Sequence, residues 1–442
     1  MKCFRFLYLF LLFIFYLNFS QAQADLIVHI SQGVDKPIPI VFSPMSSFIY
    51  KNSELPNGFV SVIKNDLSNT GQFKIINPTG VFAQKILINQ FPWDRWTASQ
   101  IAADYAVIGQ ISPSAGETNF YDVIFQLYNT YGHTALMGKI YQHIPSDQMR
   151  VLAHQIANQI YQVITGIPGD FNSRIAYVTV DNPVARNALY QLIISDQDGF
   201  NPQVLLRQRG NPIASPAWSH DGTQLAYVSY KNNRMAIYQI TLATGERILL
   251  SNFPGINSAP AYSPDGTYMA MALNQDQGAN TNIYLVNLKS KKYQKLTSVG
   301  SNTEPSFSPD GNFIVFTSNQ AGNKPQLYQV NLHNLNISRL SFEGVQNFKP
   351  EFTPDGKSIV FMHQEDQNGP IRLAVLNLSS GQITEITHGD LDKSPSLSPN
   401  GRMVIYANYD RSKGVLAEAS MNGQVQLVLP SSAGWVQSPA WS

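Results

Sequence analysis

The 442-residue sequence predicts two domains: an N-terminal α/β domain followed by a six-bladed β-propeller closed by its C-terminal strand. Three observations carry that prediction. The stretch SPAWSHDGTQLAYVS at residues 215–229 returns from Ala259, Glu304, Lys349 and Ser394, and a broken copy, SPAWS, ends the chain. The anchoring prolines Pro216, Pro260, Pro305, Pro350, Pro395 and Pro439 stand 44, 45, 45, 45 and 44 residues apart. A strand-bearing period of this length implies radial repetition, one blade per repeat. Finally, RIAYVTV at Arg174–Val180 reads as a second strand lacking a first, and the terminal SPAWS as a first strand lacking a second. Pairing the two completes six blades and removes the open sheet edge that would invite aggregation.

Each repeat reads as a hairpin and two further strands. Its proline is expected at the first residue of an inner, edge-like strand, where no ladder bond is lost. The S-P-D-G turn follows, as in Ser263-Pro264-Asp265-Gly266. Proline presets φ, aspartate bonds its own backbone and glycine takes the left-handed position. An apolar run such as Ile359-Val360-Phe361-Met362 has no polar face, as expected of a strand covered on both sides by neighbouring blades. Residues 282–286 and 293–297 exemplify the outer strands, with hairpin glycines at Gly245, Gly381 and Gly423. The first unit continues through residues 188–194 and 203–206.

The chain begins as an export signal. Lys2 and Arg5 precede a wholly apolar stretch at residues 6–17, and Ala22-Gln23-Ala24 is a small-x-small cleavage site. This pattern predicts a signal peptide over residues 1–24, cut after Ala24, and is too short to favour a permanent span. Cleavage removes the one cysteine, Cys3, and with it any disulfide, cysteine–metal site or thiol nucleophile. It also removes two of the 30 basic residues, leaving a chain near neutrality against 29 acidic ones. Such a balance argues against a nucleic-acid or membrane-surface role.

Residues 25–166 mix helix and strand without repeats. Leu26, Val28 and Ile30 alternate with Ile27, His29 and Ser31 as in a half-buried strand. Residues 36–42 form a second extended run, which Pro37 and Pro39 are expected to keep off the centre of a sheet. Residues 57–68 read as a helix stopping near Gly71, and residues 106–111, 123–128 and 137–143 as strands. The strongest helix spans residues 147–165. It carries an apolar stripe of Leu152, Ile156, Ile160, Val163 and Ile164, with Ser146 as cap and Gly166 as terminator. Residues 167–173 form the linker and residues 174–442 the propeller.

Catalytic chemistry finds little support. No phosphate loop, G-x-S-x-G, H-E-x-x-H or calcium loop is present, and the eight histidines show no ligand spacing. The recurrent Asp221, Asp265, Asp310 and Asp355 are explained by their turns, and Asn400 fills the same slot. Small residues Ala217, Ala261, Ser306, Ser396 and Ala440 fit where blades converge on the axis, with Glu351 the exception. Trp218 and Trp441 are assigned to the core.

Topology instead places a binding surface. The loops into the innermost strands open on one face around the channel, and they differ among repeats while the turns recur. The candidates are Ile256, Asn257, Ser258 and Ala259; Asn302, Thr303 and Glu304; Asn347, Phe348 and Lys349; and Asp392 and Lys393.

The P-x-W/F/Y-S-P-D-G units, the mixed first domain, the signal peptide, the terminal SPAWS and the opening DLIVHISQGVDKPIPIVF together resemble the TolB family of the Tol–Pal system. His220 in place of the turn proline and Asn400 in place of the aspartate depart from the pattern, but both suit a turn. The resemblance implies a non-enzymatic scaffold of the Gram-negative periplasm; a monomer without cofactor is expected, and no residue is assigned to a metal. It implies that the channel face binds the peptidoglycan-associated lipoprotein Pal. The N-terminal segment, Asp25, Leu26, Ile27, Val28, His29 and Ile30, would bind TolA. The system maintains outer-membrane integrity and constricts the envelope at cell division. The competing class is a propeller-bearing hydrolase or lyase. The first wants a nucleophile elbow and the second histidines clustered near the axis.

Overall fold

The computed structural model describes residues 28–30, 36–47, 55–88, 91–93, 102–231, 234–275, 278, 280–322, 324–409 and 413–442. The expected leader with its cleavage point, and Asp25, Leu26 and Ile27, lie outside them.

The N-terminal domain is a mixed sheet with two helices on one face. Its strands are β2 (Ile38–Phe42), β3 (Ser46–Ser47), β4 (Phe73–Ile76), β5 (Tyr105–Pro113), β6 (Phe120–Asn129) and β7 (Thr134–Pro145), numbered after β1 (Val28–Ile30). The sheet order is β4-β2-β5-β6-β7, with β3 beside β5. β2 runs parallel to both neighbours, and β5, β6 and β7 are antiparallel. Alternation along β2 sorts its side chains. Ile40 and Phe42 face helices α1 (Leu55–Asn69) and α2 (Met149–Thr165), whereas Val41 joins Ile86, Phe91, Ala106 and Ile108 on the other face.

Three expectations for this domain change. β2 lies inside the sheet despite its prolines. The missing N–H of Pro39 costs nothing, because the β5 ladder begins only at Ile40, and the Pro39 carbonyl still accepts from the Asp104 N–H at 2.8 Å. Ser146 does not cap α2. It opens a short 3₁₀ turn, and no side chain caps either segment. The buried stripe of α2 runs through Leu152, Ile156, Ile160 and Tyr161, while Val163 is exposed. Gly166 does end the helix, at φ 74° with its N–H on the Gln162 carbonyl.

The propeller has six four-stranded blades, and β1 adds a fifth strand to the last. In blade one, β8 (Arg174–Val180) pairs with β9 (Leu189–Asp196), which pairs with β10 (Gln203–Arg209). Its innermost strand is the C-terminal Trp435–Trp441, with Ala440 opposite Ala176 and Trp441 opposite Ile175. The ring is sealed as the broken repeat predicts. Six apolar clusters fill the six junctions between adjacent blades, which explains why the second strands are apolar on both faces. Ile359, Val360 and Phe361 have no exposed surface.

The turn chemistry is uniform. Asp265 Oδ1 accepts from Ser263 Oγ at 2.5 Å and from the Thr267 N–H at 3.0 Å, and Gly266 sits at φ 68°. Asp221 is held down at about 2 by the same bonds, from the Ser219 hydroxyl and from Thr223. The repeat prolines differ from expectation. They lie mid-strand, where the ladder register shifts, as between Ala214 and Ala217 or Ser258 and Ala261. A bulge leaves the proline outside the ladder, so its missing N–H breaks nothing. The preceding residue takes positive φ in every blade: Ser215 49°, Ala259 48°, Glu304 54°, Lys349 55°, Ser394 54° and Ser438 47°.

Candidate functional site

Successive antiparallel strands reverse direction, so each of the five complete repeats sends its S-P-D-G-type turn to one face of the ring and the loop into its inner strand to the other. The N-terminal domain packs on the turn face. Asn400, in the turn of the last blade, donates through Nδ2 to the Pro168 carbonyl at 3.2 Å. Arg150 of α2 binds Asp196 at 3.0 Å and also Asp198, at the outer turn of blade one. The loop face therefore looks away from the first domain.

The candidate loop residues separate into two groups. Asn257, Asn302, Asn347 and Asp392 are fully buried, which removes them as surface contacts and makes them loop staples. Asn257 donates to the Phe253 and Gly255 carbonyls and accepts from the Phe253 N–H and Ser251 Oγ. Asn302 holds the Val299 and Gly300 carbonyls, and Asn347 the Glu343 carbonyl. Asp392 accepts from Asn408 Nδ2 at 2.6 Å, and burial pushes its carboxyl above the usual range. A short amide or carboxylate satisfies buried loop N–H and C=O groups that water cannot reach. The recurrence of these residues at one repeat position is therefore structural.

The second group remains available. Ile256 is 39% exposed; Ser258, Thr303, Glu304, Phe348, Lys349 and Lys393 are half-buried, and Ala259 is nearly covered. Val299 and Phe342, 62% and 73% exposed, stand on the same loops and were not among the sequence candidates. An apolar loop residue looks like core in a sequence, and only the fold shows it uncovered. At the axis, side chains of one blade satisfy inner-strand N–H groups of the next. Glu304 Oε2 accepts from Lys349, Glu351 Oε1 from Leu397 and Ser396 Oγ from Trp441.

At the turn-face mouth of the channel lies a cavity of about 490 Å³. Trp218, Tyr262, Phe307, Phe352, Leu397 and Trp441 contribute one apolar wall residue per blade, and Glu351 is its carboxylate. Burial pushes Glu351 up to about 7, opposed by the Leu397 N–H, Lys349 and Ser396. The predicted core roles of Trp218 and Trp441 hold: both are buried, and their indole N–H groups donate to the Ala440 carbonyl and to Ser173 Oγ.

Among the described residues, only Asp66, His154 and Asp198 bring three potential metal-ligand side chains within 4.8 Å of one another. All but one of the groups they present to each other are already engaged, the buried His154 Nε2 being the atom without a partner. His154 Nδ1 meets Asp66 Oδ2 at 2.7 Å, Gln197 Nε2 donates to Asp66 Oδ1 at 3.2 Å, and Arg150 pairs with Asp198. The trio belongs to an ion-pair network between the domains.

At the N-terminal edge, Val28, His29 and Ile30 lie antiparallel against residues 425–428, with Val28 opposite Leu427 and Ile30 opposite Val425.

Comparison with known proteins agrees with this architecture. The family described as TolB beta propeller domain matches residues 161–442, and that described as TolB amino-terminal domain matches residues 26–136. A Tol-Pal system protein TolB from Francisella tularensis subsp. tularensis (strain SCHU S4 / Schu 4) is 38% identical over 381 residues, covering 85% of this chain and 83% of that protein. One from Methylococcus capsulatus is 38% identical over 242 residues, 54% of each chain. The crystal structure of TolB from Acinetobacter baumannii superposes with a TM-score of 0.81 at 33% identity, covering 94% of this chain and 99% of that one. With both domains matched in order and the fold shared end to end, the chain belongs to the TolB family.

Proposed function

We propose that the protein is a non-enzymatic periplasmic scaffold of the Tol–Pal system. Its loop face binds the lipoprotein Pal, and its N-terminal segment binds TolA. In that role it helps maintain outer-membrane integrity and supports envelope constriction at division. Family membership supports the system, and the loop face supports the first contact. The observation that carries the second is the pairing of Val28–Ile30 as a fifth strand on the last blade. A segment that adds to its own sheet edge has the hydrogen-bonding pattern to add to another. Docked at home, it is withheld from a partner; released, it can be captured. Binding at the loop face shifts that balance and couples the two sites.

Removal of residues 25–33 is expected to abolish capture of TolA while leaving the circular-dichroism spectrum and the thermal transition of the propeller in place. Unchanged TolA affinity would end the strand-addition reading. For Pal, photo-crosslinkers at Ala259, Thr303 and Lys349 should give a Pal adduct. Crosslinks that appear only from turn-face positions such as Asp265 would move the site.

A further inference from the structure

The seam between the domains is buried, polar and rich in acid. Asp66 on α1 is 2% exposed, His154 on α2 3%, Gln197 in the outer turn of blade one 6%, and Glu418 on the last blade 4%. Around them stand Asp196 and Asp198 from that turn, Asp170 from the linker, Arg150 and Tyr161 from α2, and Arg402 from the last blade. Five carboxyls thus face two arginines and one histidine. Several bonds across the seam use these groups: Gln197 to Asp66, Arg150 to Asp196 and Asp198, and the Asn400 N–H to Asp170. Glu418 stands apart. Among the described residues no hydrogen bond or ion pair reaches its carboxyl, although it lines a cavity of about 20 Å³ together with Asp66, Asp170 and Gln197. An ionised carboxylate sealed there without a cation is strongly disfavoured.

We infer that docking of the N-terminal domain on the propeller is proton-coupled: the seam built on Asp66, His154 and Glu418 takes up protons as it closes and gives them back as it opens. The two domains are therefore held more tightly in mildly acidic surroundings than in alkaline ones. The inference does not depend on the partners proposed above.

The electrostatics have one sign throughout. Burial, with the charges of Asp170, Asp198 and Asp66, drives Glu418 well above the carboxylate range. Burial pushes Asp66 up to about 6, with the His154 bond drawing it back. Burial alone would lower His154, but the bond and charge of Asp66, helped by Asp198, raise it. Burial likewise raises Asp170 against bonds from Ser398 and Asn400. Each group holds its proton more firmly in the closed seam than in water. Asp66 contributes fully below about pH 4 and is spent by about pH 6, whereas Glu418 and His154 carry the weakening onward, so closure is tightest in acid and is still loosening between pH 6 and pH 8.

Hydrogen exchange on the full chain at pH 6 and pH 8, corrected for intrinsic rates, reads the seam directly. Amides of residues 149–165 and 196–199 should lose at least about tenfold in protection at pH 8, the change expected for one pKa unit. Amides of blades three and four should not change. Glu418→Gln keeps the shape without the charge and should hold pH 6 protection at pH 8; Asp66→Asn should do so in part. Seam protection in the wild-type chain that is equal at the two pH values overturns the proposal, as does an undiminished pH effect in Glu418→Gln. If that variant fails to fold, the wild-type comparison decides alone.

Discussion

The Glu304 carboxylate of one blade accepts the backbone N–H of Lys349 in the next at 2.8 Å, while also taking the Thr317 hydroxyl at 2.8 Å. Glu304 is the charged acceptor of that N–H, which also reaches Thr317 Oγ1 at 3.0 Å. At φ 55° in a bulge the Lys349 N–H points away from its own ladder. Glu304→Ala is expected to lower stability by about 1–3 kcal/mol in urea titrations, because a partly buried donor loses a charged partner. Glu304→Gln keeps one acceptor and should recover most of it. Equal losses in the two variants would show that the strut is idle.

The positive φ shared by six pre-proline residues is a position that side chains tolerate poorly. An L-residue there costs roughly 1–2 kcal/mol, and glycine escapes that cost at some loss of chain entropy. Ser215→Gly should therefore leave the melting temperature unchanged or raise it. Ser215→Val, with its branched Cβ at φ 49°, should lower it by several degrees in calorimetry.

Trp441 seals the ring. It is buried, its N–H donates to Ser396 Oγ and its indole to Ser173 Oγ at 2.7 Å. Trp441→Ala should cost about 3–5 kcal/mol. Removing residues 435–442 should expose the edge of β8 and give soluble aggregates in light scattering.

Glu351 gives the propeller its own pH response. Its folded carboxyl, raised by burial to about 7, holds a proton more tightly than the unfolded one. Stability is then greatest below about pH 4.5, declines as pH rises toward 7 and is flat above, by on the order of 1–3 kcal/mol in all. Glu351→Gln should be more stable than wild type at pH 8 and no different at pH 4, as measured by thermal melts across that range.

On the loop face, Lys349 and Lys393 are the cations among the available candidates, and Lys393 rests over the Tyr409 ring at 5.0 Å. Reversing both to glutamate should weaken Pal capture at least about tenfold without moving the melting temperature by more than a few degrees. Unchanged affinity would exclude the two lysines from the contact.

The ring was legible because a repeat states the same physics six times. Proline spacing, S-P-D-G turns and two-sided apolar runs each recur, so errors average out. The loop face was less legible. Asn257, Asn302, Asn347 and Asp392 occupy the right loops but point inward, and a short polar residue that staples a loop looks the same in sequence as one that greets a partner. Pro39 misled for a related reason: a proline is barred from a sheet only where its missing N–H faces a ladder, and one strand cannot reveal where a parallel neighbour begins. Nothing in the sequence joined Asp66 to His154, which meet where α1 packs on α2, or Asp66 to Glu418, which share a cavity only when the N-terminal domain lies on the last blade.

The closing contact of the ring links Trp441 to Ser173, 268 positions apart in the chain. Such a pairing cannot reward the chain until the intervening blades have wound, so it comes late on the folding route. Weakening it should leave the refolding rate almost untouched and quicken spontaneous opening. The lifetime of the native ring is then governed by its final stitch, whatever the strength of the five intact blades.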